Sequence, residues 1–258
     1  MTELRRILRL ARNDFSYFFR TKWLMAILLS LHLSDMLVVA LVYKNLMRFD
    51  YFQFFVPAVV IMGLFVAALD TGRRIWLAFR EGVIQYYLSL PISVHGIVTA
   101  YLLAGGLAAI VYSTSLLLIA LVVLPAQAVW NTLILLPFLF ILAMGLAGIS
   151  AALAALASTH GEYFFAYQQI VQILLLTLST VFYPMEYVQN YLPQFLVGVV
   201  SANPLSLAAD AMRQYAFAGN AIQPLLLFNI LVTSIPFTLI GATAYLTALH
   251  AIQTKGKL

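Results

Sequence analysis

His32 and Asp35 stand three residues apart in an otherwise apolar run, and an imidazole one helical turn from a carboxylate can pass a proton or hold a polar substrate. Two roles fit the pair: a relay or substrate contact, or a mutually satisfied polar pair that holds helices together. An ionised carboxylate at the centre of a span costs ~2.5–3.5 kcal/mol, so either role requires the pair to face protein. The other histidines, His95, His160 and His250, are scattered, no serine has a nucleophile's setting, and the chain has no cysteine. Hydrolytic, thiolate and clustered-metal chemistry therefore lack their residues, and neither an enzyme nor a metal site is expected. ATP hydrolysis is not expected either. A phosphate-cradling loop needs G-x-x-x-x-G-K-[ST], and none of Lys22, Lys44, Lys255 and Lys257 stands in that context.

The elements that must position these residues are membrane helices. Of 258 residues, 64% are hydrophobic and 9% charged, and the mean hydropathy is +0.98, more apolar surface than a soluble domain of this length could bury. An all-α integral membrane protein follows, as a single domain over residues 1–258. Six segments are expected to cross: about 23–43, 53–72, 96–123, 132–157, 165–183 and 223–250. Before the first span, Leu4, Ile7, Leu8, Ala11, Phe15, Phe18 and Phe19 follow helical spacing, while Arg5, Arg6, Arg9, Arg12, Asn13, Ser16 and Arg20 fill the other side. Residues 1–22 thus read as a helix lying in the interface on an anionic membrane face, with no signal-peptide pattern of charge, apolar core and A-x-A site.

Charge sets the expected orientation. Arg5, Arg6, Arg9, Arg12, Arg20, Lys22, Arg73, Arg74, Arg80, Lys255 and Lys257 fall on one side of the predicted topology, against Lys44, Arg48 and Arg213 on the other. That bias places both termini in the cytoplasm of a multi-pass protein of the cell membrane. It also explains the net charge of +5 without nucleic acid.

Residues 182–213 are as apolar as a span yet contain Pro184, Pro193, Pro204, Glu186, Asp210 and Arg213. Each proline removes a backbone donor that lipid cannot replace, so this stretch must dip and return, opening from the external side. Pro184 is expected to open a short helix, and Asn203-Pro204 reads as the cap and first residue of another that ends near Gly219. Asp210 and Arg213, one turn apart, can pair or attract an anionic headgroup. Tyr183, Tyr187 and Tyr191 recur every four residues; they form an interfacial aromatic belt or a surface for sugars and headgroups.

Three further patterns stand out. In the connector spanning residues 73–95, Leu77, Ile84 and Leu88 share one helical face and Glu81, Gln85 and Ser89 another, until Leu90-Pro91 stops the helix. This is a docking surface for a soluble partner or a solvated loop helix. Span five carries Gln168, Gln169, Gln172, Thr177, Ser179 and Thr180, so one side faces a conduit, a dimer axis or hydrogen-bonding helices; with Asp35, residues Gln168, Gln172 and Ser179 are the conduit candidates. Gly105, Ala109 and Ser113, like Ala147, Ala151 and Ala155, repeat at four-residue intervals that let helices approach closely, within the chain or between subunits. Pro137 and Pro236 are expected to kink their spans.

The connector residues Arg80, Glu81, Gly82, Leu88, Pro91, Ile92 and Ser93 resemble a segment found after span two in the type-2 ABC exporter permeases, which include polysaccharide, teichoic-acid and drug exporters. Phe54-Phe55-Val56-Pro57 is similar to that family's opening of span two, with Ala58 in place of glycine. Phe182-Tyr183-Pro184, Leu192-Pro193, Asn203-Pro204-Leu205 and Arg213 follow the order of the family's aromatic-Pro element, re-entrant pair, N-P-L turn and arginine. Gln85 departs from the pattern, standing where many members carry glutamate; Glu81 could supply that charge.

The resemblance implies a permease that works as a homodimer with two copies of a separate ATPase, which binds ATP and magnesium. It makes Arg80, Glu81, Gly82, Gln85, Leu88 and Pro91 the coupling residues. Phe182, Tyr183, Pro184, Tyr187, Pro193, Asn203, Pro204 and Arg213 become the external gate over residues 184–222. The cargo would be a lipid-linked glycan or another hydrophobic molecule. A different class, an ion-coupled carrier or channel built on His32 and Asp35, predicts a second broken helix in the other half of the chain.

Overall fold

The computed structural model describes residues 2–255 except 45, 48, 125, 126, 128 and 158–160, so Arg48, His160 and Lys257 lie outside the described residues. Every regular element among the described residues is a helix. In chain order they are α1 (Glu3–Arg20), α2 (Lys22–Ser34), α3 (Ala40–Lys44), α4 (Tyr51–Arg80), α5 (Val83–Ser89), α6 (Val94–Val123), α7 (Val129–Leu156), α8 (Gly161–Thr177), α9 (Met185–Tyr191), α10 (Gln194–Ala202), α11 (Pro204–Ala211) and α12 (Pro224–Lys255). A π-helical turn, Asp35–Val39, joins α2 to α3, and another, Met212–Phe217, extends α11.

Among the described residues, five helices are long and apolar enough to cross a membrane: Lys22–Lys44, Tyr51–Arg80, Val94–Val123, Trp130–Leu156 and Pro224–Thr254. The chain is a helical, multi-pass membrane protein. The span expected at 165–183 differs, because α8 stops at Thr177 after 17 residues, ~25 Å at 1.5 Å per residue against ~30 Å of hydrocarbon. Beyond it the backbone leaves the helix and is held by side chains: Tyr183 donates to the Thr177 carbonyl, and Asn203 Nδ2 donates to the carbonyls of Leu175 and Leu178 at 2.8 and 2.6 Å. The broken stretch after it forms short helices, with α10 and the α11 segment bent by 63°.

α4 is the axis of the bundle, since 78% of its apolar window is buried against 17% for α2. It packs on α6 and α7, and α12 packs along α7. The small-residue stripes serve contacts within the chain: Gly105 meets Thr71 and Ala147, and Ala147 and Ala151 are fully buried. The closest approach is between α7 and α12, where a Cβ on Gly241 would lie 2.0 Å from the Gly148 carbonyl oxygen. Pro137 and Pro236 sit inside continuous helices, and the Ser234 hydroxyl donates to the Ile230 carbonyl one turn before the second.

α1 is not free on a surface. Glu3 meets Ser93, Ile7 meets Gly96, Ala11 clusters with Ala100 and Ala104, and Phe18 meets Tyr112, so α1 runs alongside the first half of α6 in the same direction. Much of the apolar stripe assigned to lipid by its spacing therefore meets protein, although Leu4 and Leu8 remain exposed. His95 at the start of α6 and His250 near the end of α12 have ring centroids 6.4 Å apart, which puts the start of α1, the connector and the end of α12 at one end of the bundle. The broken stretch lies at the other.

Because the Gly148–Gly241 contact is backbone against backbone, Gly241→Leu should lower stability by ~1–3 kcal/mol or more, whereas Gly198→Leu, with open space around it, should change little. Thermal unfolding of the purified variants in detergent measures the difference.

Candidate functional site

At the connector end, α4 ends in a left-handed Gly82, φ +72°, which accepts the turn that a Cβ would strain. This break separates Leu77, still in α4, from Ile84 and Leu88 in α5, so the face expected to run through all three is divided between two helices. α5 is nonetheless amphipathic: Ile84 is buried, Val83, Tyr87 and Leu88 are half-buried, and Gln85, Tyr86 and Ser89 are exposed, as are Arg80, Glu81 and Pro91. The Arg80 guanidinium lies over the Trp76 ring at 5.5 Å. The Ser93 hydroxyl caps α6 by accepting from Gly96 N–H at 3.0 Å.

α1 grips the connector. The Glu3 carboxylate accepts from Ser93 N–H at 3.1 Å, and the Arg6 guanidinium donates to the Pro91 carbonyl. Deeper in, Asp14 on α1 meets Arg74 on α4 at 3.1 Å, and Arg74 also reaches Asp70 at 3.4 Å and the Thr71 hydroxyl at 3.2 Å. Arg73 pairs with Asp70 at 2.6 Å. The Arg74 side chain is only 2% exposed, so one buried guanidinium faces two carboxylates, with the Phe18 ring 5.3 Å away. Among the described residues, Asp14 Oδ2 and Arg74 Nε make no hydrogen bond. They border a cavity of about 110 Å³ lined also by Asn13, Tyr17, Glu81, Tyr87 and Tyr101. Burial pushes Asp14 up to about 6, against the pull of Arg74.

Sequence reasoning missed this cluster. Its signal was present: Ala11, Asp14 and Phe18 share one face of α1, so a carboxylate interrupts the apolar stripe, and Asp70, Arg73 and Arg74 stand at i, i+3, i+4.

At the other end, Arg213 ties three segments. It pairs with Asp210 at 2.7 Å and donates to the carbonyls of Phe54, Thr180 and Val181 at 2.8, 2.8 and 3.2 Å, with the Phe54 ring centroid at 3.6 Å. Asp210 also accepts from the Thr180 hydroxyl at 3.2 Å. Asn203 caps α11 by accepting from Leu205 N–H at 2.9 Å, with Pro204 as the first helical residue. Pro193 and Pro184 each precede a helix as its cap; Pro184, expected as the first residue of its helix, stands one position before it, because the helix begins at Met185. Phe182 packs on Phe55, and Tyr187 meets Phe49 and stacks on Tyr191. The Phe182 carbonyl accepts from the Tyr51 hydroxyl at 3.2 Å. Tyr183, Asn203 and Arg213 therefore converge on the end of α8, whereas Pro193 is placed only as the exposed cap of α10.

The conduit candidates are not gathered in one place. Gln168 reaches the Leu69 carbonyl at 3.4 Å near the connector end, while buried Ser179 donates to the Leu176 carbonyl at 2.7 Å near the broken end. Gln172 is half-buried on α8. Asp35 opens the π-helical turn of the first span, and its carboxylate makes no hydrogen bond or ion pair among the described residues, while its backbone N–H donates to the His32 carbonyl. Buried His32 turns instead to the Leu28 carbonyl at 2.8 Å and the Tyr112 hydroxyl at 3.1 Å.

Removing each partner of the α1–α4 latch should have unequal effects. Arg74→Ala leaves the buried Asp14 carboxylate without a cation, while Asp70 keeps Arg73, and should cost ~3–5 kcal/mol, whereas Asp14→Asn removes a charge that burial already opposes and should cost under ~1 kcal/mol at neutral pH. The folded protein holds Asp14 protonated to higher pH than the unfolded chain does. Its contribution to stability is therefore full below about pH 4 and is lost as pH rises through about 6. Unfolding temperatures from pH 4 to 7 should show the wild type losing more stability than Asp14→Asn as pH rises.

No family model matches this chain, and no curated protein matches it.

Proposed function

We propose that this chain is the membrane-spanning permease subunit of an ATP-driven exporter, working as a pair of identical subunits with a separate nucleotide-binding ATPase. The observation that carries this reading is the connector: α5 buries Ile84 and presents Gln85, Tyr86 and Ser89 to solvent, while Glu3 and Arg6 clamp the loop that follows it. A short helix joined to α4 through Gly82 and clamped by α1 just beyond its other end, with a polar outer face, suits a lever that a soluble subunit can push. The Asp14–Arg74–Asp70 cluster supports this by joining the connector's flank to the bundle axis, so force on α5 reaches α4. ATP and magnesium belong on the partner, because no lysine here has a phosphate-loop context.

In this reading the connector end, with both termini, faces the cytoplasm of the cell membrane, and the knot around Arg213 forms the external gate. Cargo of the lipid-linked, glycan or hydrophobic class suits the aromatic residues Phe182, Tyr187 and Tyr191 around that gate. The carrier alternative has less support. The His32 ring turns to the Leu28 carbonyl and the Tyr112 hydroxyl, no side-chain hydrogen bond or ion pair joins it to Asp35 among the described residues, and a single broken region is present among them.

Affinity purification of the tagged protein from its native membrane should recover a subunit with a phosphate loop; recovery of the intact protein without one overturns the proposal. In the reconstituted complex, Glu81→Lys or Gly82→Pro should abolish substrate-stimulated ATP hydrolysis while leaving the subunits associated. Undiminished stimulation would remove α5 from the coupling path.

A further inference from the structure

At the broken end of the bundle a cavity of about 460 Å³ lies between the start of α4, the residues that follow α6 and the π-helical turn after α11. Its walls are tied together by bonds that leave most of its own polar side chains unused. Arg213 donates to the Phe54 carbonyl at 2.8 Å, Gln127 N–H to the Phe217 carbonyl at 3.2 Å, and Asn131 Nδ2 to the Tyr215 carbonyl at 2.8 Å. Asp50 caps α4 through Oδ1, which accepts from the N–H groups of Phe52 and Gln53, and its Oδ2 makes no hydrogen bond among the described residues. The exposed carboxamides of Gln53 and Gln127 make none among them either. Between these polar groups lie Phe49, Leu124 and Phe217.

The chemistry of this lining selects the ligand. Among the described residues the one cation on the cavity is Arg213, and its donors already go to Asp210 and to the carbonyls of Phe54, Thr180 and Val181. An anion would therefore meet Asp50 and a guanidinium that is already engaged. A purely apolar molecule would cover two carboxamides and leave them unpaired, at ~1–3 kcal/mol for each buried group. A neutral molecule dense in hydroxyls, with C–H surface between them, meets both needs: carboxamides and a carboxylate exchange hydrogen bonds with hydroxyls, and the phenyl and leucine side chains cover the C–H faces. The volume falls within the ~300–1,000 Å³ of ordinary ligand sites. From this lining we infer that the cavity binds a neutral saccharide. As a contact for cargo the site rests on the export reading and narrows the cargo to glycans; as a binding site it belongs to this chain alone.

The test is calorimetric titration of the purified full chain, in a polyoxyethylene detergent whose headgroup carries no sugar ring, with maltose, chitobiose, citrate and tetraethylammonium in turn. Maltose or chitobiose should bind saturably, and citrate and tetraethylammonium should not. Gln53→Ala and Gln127→Ala each remove one exposed carboxamide and should each weaken binding by about three- to tenfold, the worth of one hydrogen bond. The double variant should abolish it. Ala218→Trp keeps both carboxamides but fills the cavity from its rim, and it too should abolish binding, whereas Gln189→Ala, which removes an exposed carboxamide from α9, should leave it unchanged. Absence of binding by both saccharides, tighter binding of citrate or tetraethylammonium, or undiminished binding in the double variant or in Ala218→Trp overturns the inference. No ATPase takes part in the titration, so its failure strikes the saccharide site alone, while failure to recover an ATPase from the membrane strikes the export reading alone.

Discussion

A carbonyl or N–H that leaves the helical ladder inside hydrocarbon has no water to turn to, and an unpaired one costs several kcal/mol. This constraint explains why polar side chains in this chain cluster where they do. Asn203 spends its oxygen on the Leu205 amide and its nitrogen on two carbonyls freed at the end of α8. Arg213 takes three more carbonyls from the same region and from the start of α4. The backbone freed by the broken stretch is satisfied within the protein because these two side chains stand in for the missing turns. Without them α8 would need to continue as helix or the loop would need to leave the membrane.

The two ends of the bundle solve charge burial in related ways. At each, a guanidinium sits one turn after an aspartate on the same helix, Asp70 with Arg73 and Arg74, and Asp210 with Arg213, so the ion pair is local and little chain entropy is spent in forming it. They differ in what the remaining donors do. Arg213 directs its donors to backbone and stitches a loop. Arg74 directs its charge to a second carboxylate on another helix, and so fixes the position of α1. The first arrangement is a backbone repair, the second a joint between elements.

What the sequence made legible was whatever local pattern determines. Helical class, the proline-broken stretch and the Asn203-Pro204 start all follow from spacing and capping within a few residues. What escaped it depends on partners far along the chain. Asp14 pairs with a residue sixty positions away, and His32 looked like a partner for Asp35 until Tyr112, eighty positions on, was beside it. The length of α8 was misjudged for the same reason: Leu175 to Thr180 are apolar or neutral enough to continue a span, and only tertiary bonds to Asn203, Arg213 and Ser206 allow the helix to end.

The glycine contact between α7 and α12 has a consequence for biosynthesis. Gly148 emerges from the ribosome ~90 residues before Gly241, an interval of about 5–20 s at ordinary rates of elongation. Throughout that time α7 is already in the membrane with the face that will receive α12 uncovered, backbone and all. Whatever shields that face, lipid or the insertion machinery, must yield when α12 arrives, so closure of the α7–α12 seam waits on α12.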